Sequence, residues 1–190
     1  MSRRSIFRKK RRINYDKVNE VFSWIWKIAF ICLLAFVIVW FWGKRVSNIG
    51  DSMSPVIENG DIALADTLMY NIKKPSRGDV IVFRPNGEEK MHSHIKRIIG
   101  LPGETIEIKR GKIYIDGKEL DEKYETTRLE ESEDGNNKIK IKKDEYFVLG
   151  DNRLSSTDSR DDEIGNVKRD EIVGKAWFVI APWKNIGFVK

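Results

Sequence analysis

Residues 105–120 read TIEIKRGKIYIDGKEL, and this stretch decides the fold. Ile106 and Ile108, then Ile113 and Ile115, alternate with polar residues on either side of Arg110-Gly111. A period of two places the isoleucines on one face of an extended chain, so the pattern predicts strands with a single apolar face. Arg110-Gly111 is a hairpin signal, and Asp116-Gly117 marks a second turn. Outward from this hairpin the same β-branched and aromatic character recurs in DIALAD (61–66), DVIVFRP (79–85), HIKRIIG (94–100), IKIKKDEYFVLG (139–150) and GKAWFVIAPW (174–183). Gly, Pro, Asn and Asp fall between them, and the reading is a mainly β domain. A small variable hairpin and loop portion is expected at about residues 107–144, within which RLEESEDGNNK (128–138) reads as an acidic, solvated loop.

The N-terminal region follows a different rule. Residues 21–42, VFSWIWKIAFICLLAFVIVWFW, form an apolar run interrupted by Lys27 alone, with aromatic residues at both ends. At ~1.5 Å per residue such a helix crosses a ~30 Å hydrocarbon core, and Lys27 lies near enough to one end to snorkel. A cleaved leader is the competing reading, but WFWGKRVSNIG lacks the small residues at alternating positions that a cleavage site needs. Eight Lys/Arg lie in residues 1–20, against Lys44 and Arg45 just beyond the run. The positive-inside rule therefore predicts a basic cytoplasmic segment (1–20), a transmembrane helix (21–42) and an extracytoplasmic β domain (43–190).

Charge and composition narrow the partners. Residues 1–45 hold eleven Lys/Arg and two acids, which leaves 24 basic and 27 acidic side chains in the rest. The net charge of +6 is thus a property of the N-terminus, and it reads as a topology and headgroup signal rather than as nucleic-acid binding. Cys32, the single cysteine, lies inside the apolar run, so no intrachain disulfide is possible. No Gly-rich phosphate loop, internal repeat or metal-ligand cluster is visible, and no cofactor is called for. His92 and His94 would share one face of a strand, but no third ligand accompanies them. Composition does leave a Ser-His-Asp arrangement open.

Two other residues could do chemistry. Ser52 stands in IGDSMSPVIENGD (49–61), and Lys96 stands mid-strand among Ile95, Ile98 and Ile99. An amine there becomes a competent base if burial brings its pKa near neutrality, which takes roughly 4 kcal/mol of desolvation. An interior Lys-Arg pair can equally snorkel or pair with acids.

In order along the chain, GDSMSP, GDVIVF, IKRIIGLPGE, GDNRLSSTDSR and GKAWFVIAP resemble the motif boxes of type I signal peptidases. The resemblance covers most of the chain from residue 46 and implies a signal-peptidase-like β domain tethered by one N-terminal transmembrane helix. It implies Ser52 as nucleophile, Lys96 as general base and the Ser52 backbone N–H as an oxyanion donor, acting on signal-peptide-bearing preproteins at the lipid bilayer. Some relatives add a serine hydroxyl two residues before the nucleophile, where this chain has Gly50. The resemblance further implies that Ser156 hydrogen-bonds the lysine and that Asp158 and Arg160 form a supporting ion pair. Met53, His94 and Ile95 are expected along the substrate groove. Leu154-Ser155 replaces an Asp-Asn pair common in relatives, and His94 stands where an aromatic is frequent.

Nine residues separate Trp42 from Ser52, so an extended linker of ~3.3 Å per residue holds the serine within ~30 Å of the lipid. Trp177, Phe178, Trp183 and Phe188 could touch the bilayer or pack within strands. Two alternatives share parts of this pattern: a self-cleaving repressor-type Ser-Lys protease, which lacks an anchor, and a noncatalytic tethered β domain that binds exported chains.

Overall fold

The structure, a computed structural model, describes residues 15–85, 92–127, 129 and 138–190. It divides into two compact units between Phe41 and Trp42. All but the last residue of α1 (Tyr15–Trp42) lies in the first, and its segment Lys17–Val37 is long and apolar enough to cross a membrane. Trp24, Trp26, Phe30 and Phe36 on this helix are each more than half exposed, an arrangement that water disfavours and lipid does not. The described part of the helix includes Tyr15–Glu20 ahead of the apolar run, six residues with no Gly or Pro to interrupt it.

The second unit is built from two antiparallel sheets. Its elements are β1 (Gly43–Ser47), β2 (Ile62–Asp66), the short helix α2 (Leu68–Ile72), β3 (Val80–Phe83), β4 (His94–Gly100), β5 (Thr105–Lys109), β6 (Lys112–Ile115), β7 (Lys118–Glu119), β8 (Lys138–Lys140), β9 (Glu145–Leu149), β10 (Val167–Lys168), β11 (Ile172–Ala181) and β12 (Gly187–Phe188). The larger sheet runs β1-β2-β11-β3-β4-β9-β10, with β12 added to β11; the smaller runs β7-β6-β5-β8. Arg110-Gly111 and Asp116-Gly117 all have positive φ, as the tight hairpins of the smaller sheet require.

Among the described residues, three apolar clusters hold this unit together. Val80 and Val82 enter one with Met53, Ile57 and Ile95, while Ile81 and Phe83 enter a second with Ile98, Tyr146 and Val148. Burial on both faces explains why β3 reads VIVF without alternation. The third cluster joins Ile106, Ile113 and Ile141 of the smaller-sheet region to Ile99, Phe147 and Leu149 of the larger.

Some elements differ from the sequence reading. β1 was not expected, because GKRVS carries one apolar residue; pairing with β2 from Gly43↔Asp66 to Ser47↔Ile62 makes it a strand. Most of the acidic stretch 128–138 lies outside the described residues. Its Leu129, however, is buried in the third cluster, so that part of the stretch is tied to the core and not a solvated loop. At the C-terminal end, Trp177 and Phe178 pack with Phe188 in a ring cluster (centroids 5.1–6.1 Å), whereas Trp183 is 88% exposed.

Candidate active site

The loop between β1 and β2 presents Ser52. Asn48 closes its base: the backbone N–H donates to Asp61 O (2.8 Å) and its carbonyl accepts from Gly60 N–H (3.0 Å). Asn48 Nδ2 also donates to Glu58 O (2.9 Å) and Gly50 O (3.1 Å). Met53 and Ile57, joined by an Ile57 N–H to Met53 O bond of 2.9 Å, are fully buried in the first cluster. With one neighbour sunk in the core, Ser52 is left at the surface of a fixed turn.

β4 brings the second partner. Pairing of Ile81 with Lys96 sets the register, and Lys96 is only 3% exposed. Its Nζ lies 2.6 Å from Ser52 Oγ. Burial pushes the ammonium down to about 8; Asp158 opposes this shift, and Arg160 adds to it. The shared position is one wall of a cleft of about 350 Å³, also lined by Ile49, His92, His94, Ile95, Ser155 and Thr157.

The loop after β9 backs this pair. Asp158 is fully buried, accepts from Gly150 N–H (3.0 Å) and pairs with Arg160 Nε (2.8 Å). At Gly150 a Cβ would stand 2.2 Å from Ser156 Oγ and 2.4 Å from Ser52 O, so only glycine permits this close approach. Asn152 N–H donates to Ser52 O at 3.0 Å, which joins the loop directly to the Ser52 turn. Arg97, beside Lys96 on β4, grips Asp151 through two hydrogen bonds of 2.8 and 2.6 Å.

Two expectations need correction, those for Ser156 and Met53. Ser156 Oγ does not bond Lys96: it is buried without a hydrogen-bond partner, directed against Gly150. Met53 is fully buried, so it supports the cleft from the core beneath Ile95 and does not form its surface. Gly50, which has no hydroxyl to offer, has its N–H engaged with Asn59 Oδ1 at 3.1 Å. By contrast His94 and Ile95 do line the cleft. His94 stacks on Phe83 (5.6 Å between centroids), and burial with the nearby Lys96 charge lowers its pKa, favouring a neutral ring. Among the described hydrogen bonds, neither imidazole reaches Ser52, so the Ser-His-Asp arrangement has no geometric basis. Asn48, Asn152 and the Arg97–Asp151 pair were not singled out from sequence, though Asn152 lies inside a quoted motif.

Comparison with known proteins places this arrangement. Residues 21–183 match the family described as "Signal peptidase, peptidase S26". The chain belongs to that family. Signal peptidase I of Bacillus caldolyticus is 36% identical over 176 residues, covering 87% of this chain and 93% of the relative. Signal peptidase I P of Bacillus subtilis subsp. natto is 33% identical over 181 residues, covering 92% and 96%. A solved signal peptidase I from Enterococcus faecalis V583 aligns with 36% identity and a TM-score of 0.41, covering 54% of this chain and 97% of that one. The family makes the chain a serine peptidase, which needs a nucleophile, a base and an oxyanion donor. Ser52 Oγ, Lys96 Nζ and the Ser52 N–H are the candidates within the cleft.

Proposed function

We infer that this chain is a membrane-bound serine endopeptidase that removes N-terminal signal peptides from preproteins, with Ser52 as nucleophile and Lys96 as general base. The observation that carries the assignment is the 2.6 Å approach of Lys96 Nζ to Ser52 Oγ with the lysine almost wholly buried. A neutral amine accepts the serine proton as Oγ attacks the scissile carbonyl. The Ser52 N–H stabilises the oxyanion, and the protonated lysine then delivers its proton to the leaving amine. The mature chain leaves with that amine, and water deprotonated by the same lysine then hydrolyses the ester and frees the signal peptide. Asp158 and Arg160 hold the loop behind the base, while His94 and Ile95 contact the substrate beside the cut. Small side chains at the first and third positions before the cut suit this reading.

The chain is anchored by α1, with residues 1–20 cytoplasmic, 21–42 in the bilayer and the catalytic domain 43–190 on the opposite side. The excess of basic residues before the apolar run supports that direction. The test is incubation of the full chain in detergent with a preprotein, followed by identification of the new N-terminus. Cleavage after the signal peptide is expected, and Ser52→Ala and Lys96→Ala should each abolish it while retaining the fold. Full activity in either variant overturns the dyad.

A further inference from the structure

Gly50 offers no hydroxyl where some relatives have one, so the aim of the Ser52 N–H matters more. Asn152 holds the peptide units on both sides of Ser52. Its backbone N–H donates to Ser52 O (3.0 Å), and its side-chain Nδ2 donates to Asp51 O (3.2 Å). Asp51 O belongs to the same peptide unit as the Ser52 N–H. In a trans peptide the carbonyl and the N–H point in opposite directions, so fixing one fixes the other. Asp51 O also accepts from Ser54 N–H (3.1 Å), whereas the Ser52 N–H donates to none of the described acceptors. The anchored carbonyl therefore leaves that N–H available on the opposite side.

Thr127 determines which end of the Asn152 amide faces Asp51. Its Oγ1 accepts from Arg153 N–H (2.7 Å), so its own proton is available to Asn152 Oδ1, 3.3 Å away. With the amide oxygen held there, the NH2 group is directed to Asp51. Thr127 is itself tied to this loop by its N–H donating to Asp151 O at 3.0 Å. We propose that Thr127 and Asn152 are positioning residues that orient the Asp51–Ser52 peptide unit, and through it the oxyanion-binding N–H of Ser52. Asn152 acts on the peptide unit directly and Thr127 acts through Asn152.

This inference rests on Ser52 being the nucleophile, and the two can fail separately. Steady-state cleavage of a preprotein by the full chain in detergent is measured for Asn152→Ala, Thr127→Val and Thr127→Ser, with Ser52→Ala as control. Asn152→Ala keeps the backbone bond to Ser52 O but loses the grip on Asp51 O. Its kcat should fall roughly 10- to 100-fold, somewhat less than complete loss of an oxyanion donor, with KM within about twofold. The rising limb of its pH profile should stay in place, since nothing around Lys96 has changed. Thr127→Val, which keeps the shape and loses the hydroxyl, should lower kcat roughly 3- to 10-fold, while Thr127→Ser should match the parent. Parent-like kcat in Asn152→Ala, or equal rates in the Val and Ser variants, overturns the proposal. If Ser52→Ala remains active, it is the catalytic reading that fails.

Discussion

An amine enclosed to 3% exposure does two opposing things at Lys96. It destabilises the folded chain whenever it is protonated, and by the same effect it becomes a base near neutral pH. Desolvation is the leading cause of its descent from 10.5 to about 8. Cleavage should therefore rise with pH along a limb centred at about 8, read from the pH dependence of kcat/KM. A limb near pH 10 would mean that the amine is solvated in the working enzyme. Stability responds with a definite sign. Between the folded and unfolded values the unfolded chain binds the extra proton, so the parent gains stability as pH rises from about 8 to 10.5 and carries the full penalty below about 8. Lys96→Met removes the charge and keeps the length. It should melt higher than the parent at pH 6–7, by the equivalent of about 3 kcal/mol, with the gain fading as pH rises from about 8 to 10.5. An equal or lower melting temperature at pH 6 would contradict the desolvation argument.

Between elements, the site depends on β4 being joined to the loop after β9. Arg97 and Asp151, 2% and 0% exposed, form that joint, with Tyr124 stacked 4.1 Å from the guanidinium carbon and Gly78 O and Lys190 O accepting its other hydrogens (2.9 and 2.8 Å). Arg97→Met leaves a buried carboxylate uncompensated and should lose about 3–5 kcal/mol in denaturant unfolding. The double variant Arg97→Met/Asp151→Leu should recover part of that loss, because the desolvated charge is gone; no recovery would place the stabilisation in packing alone. The joint also marks the limit of sequence reading. HIKRIIG was legible as a strand because its apolar residues are local, and DVIVFRP, DIALAD and the 105–120 hairpin were legible for the same reason. Ser52 and Lys96 were candidates from their local settings, but their pairing came through the motif order, since nothing local shows that residues 44 apart touch. Asn152 and Thr127 were not singled out because their work is done by backbone carbonyls and amide direction, which depend on tertiary register. Ser156 was read as a partner of the lysine, yet its hydroxyl is turned against Gly150, a rotamer outcome that no motif encodes.

For the whole molecule, the N-terminal unit is basic and apolar and the β unit slightly acidic, a division of charge that bears on the proposed topology. The 28-residue α1 has apolar side chains to match a lipid environment, but its length is indifferent to direction. Direction rests on charge: eight Lys/Arg precede the apolar run, whereas Lys44 and Arg45 follow it closely. Neutralising Arg3, Arg4, Arg8, Lys9, Lys10, Arg11 and Arg12 to Gln would leave only Lys17 in the first 20 residues and reverse the balance. The parent, expressed in bacterial cells, should expose its β domain to protease added outside spheroplasts. The neutralised variant should shield a substantial fraction of that domain and lose preprotein processing in proportion, while retaining activity after detergent extraction. Full external accessibility in the variant would show that the basic segment does not set the direction. Loss of activity even in detergent would instead give residues 3–12 a role in the active enzyme beyond orientation.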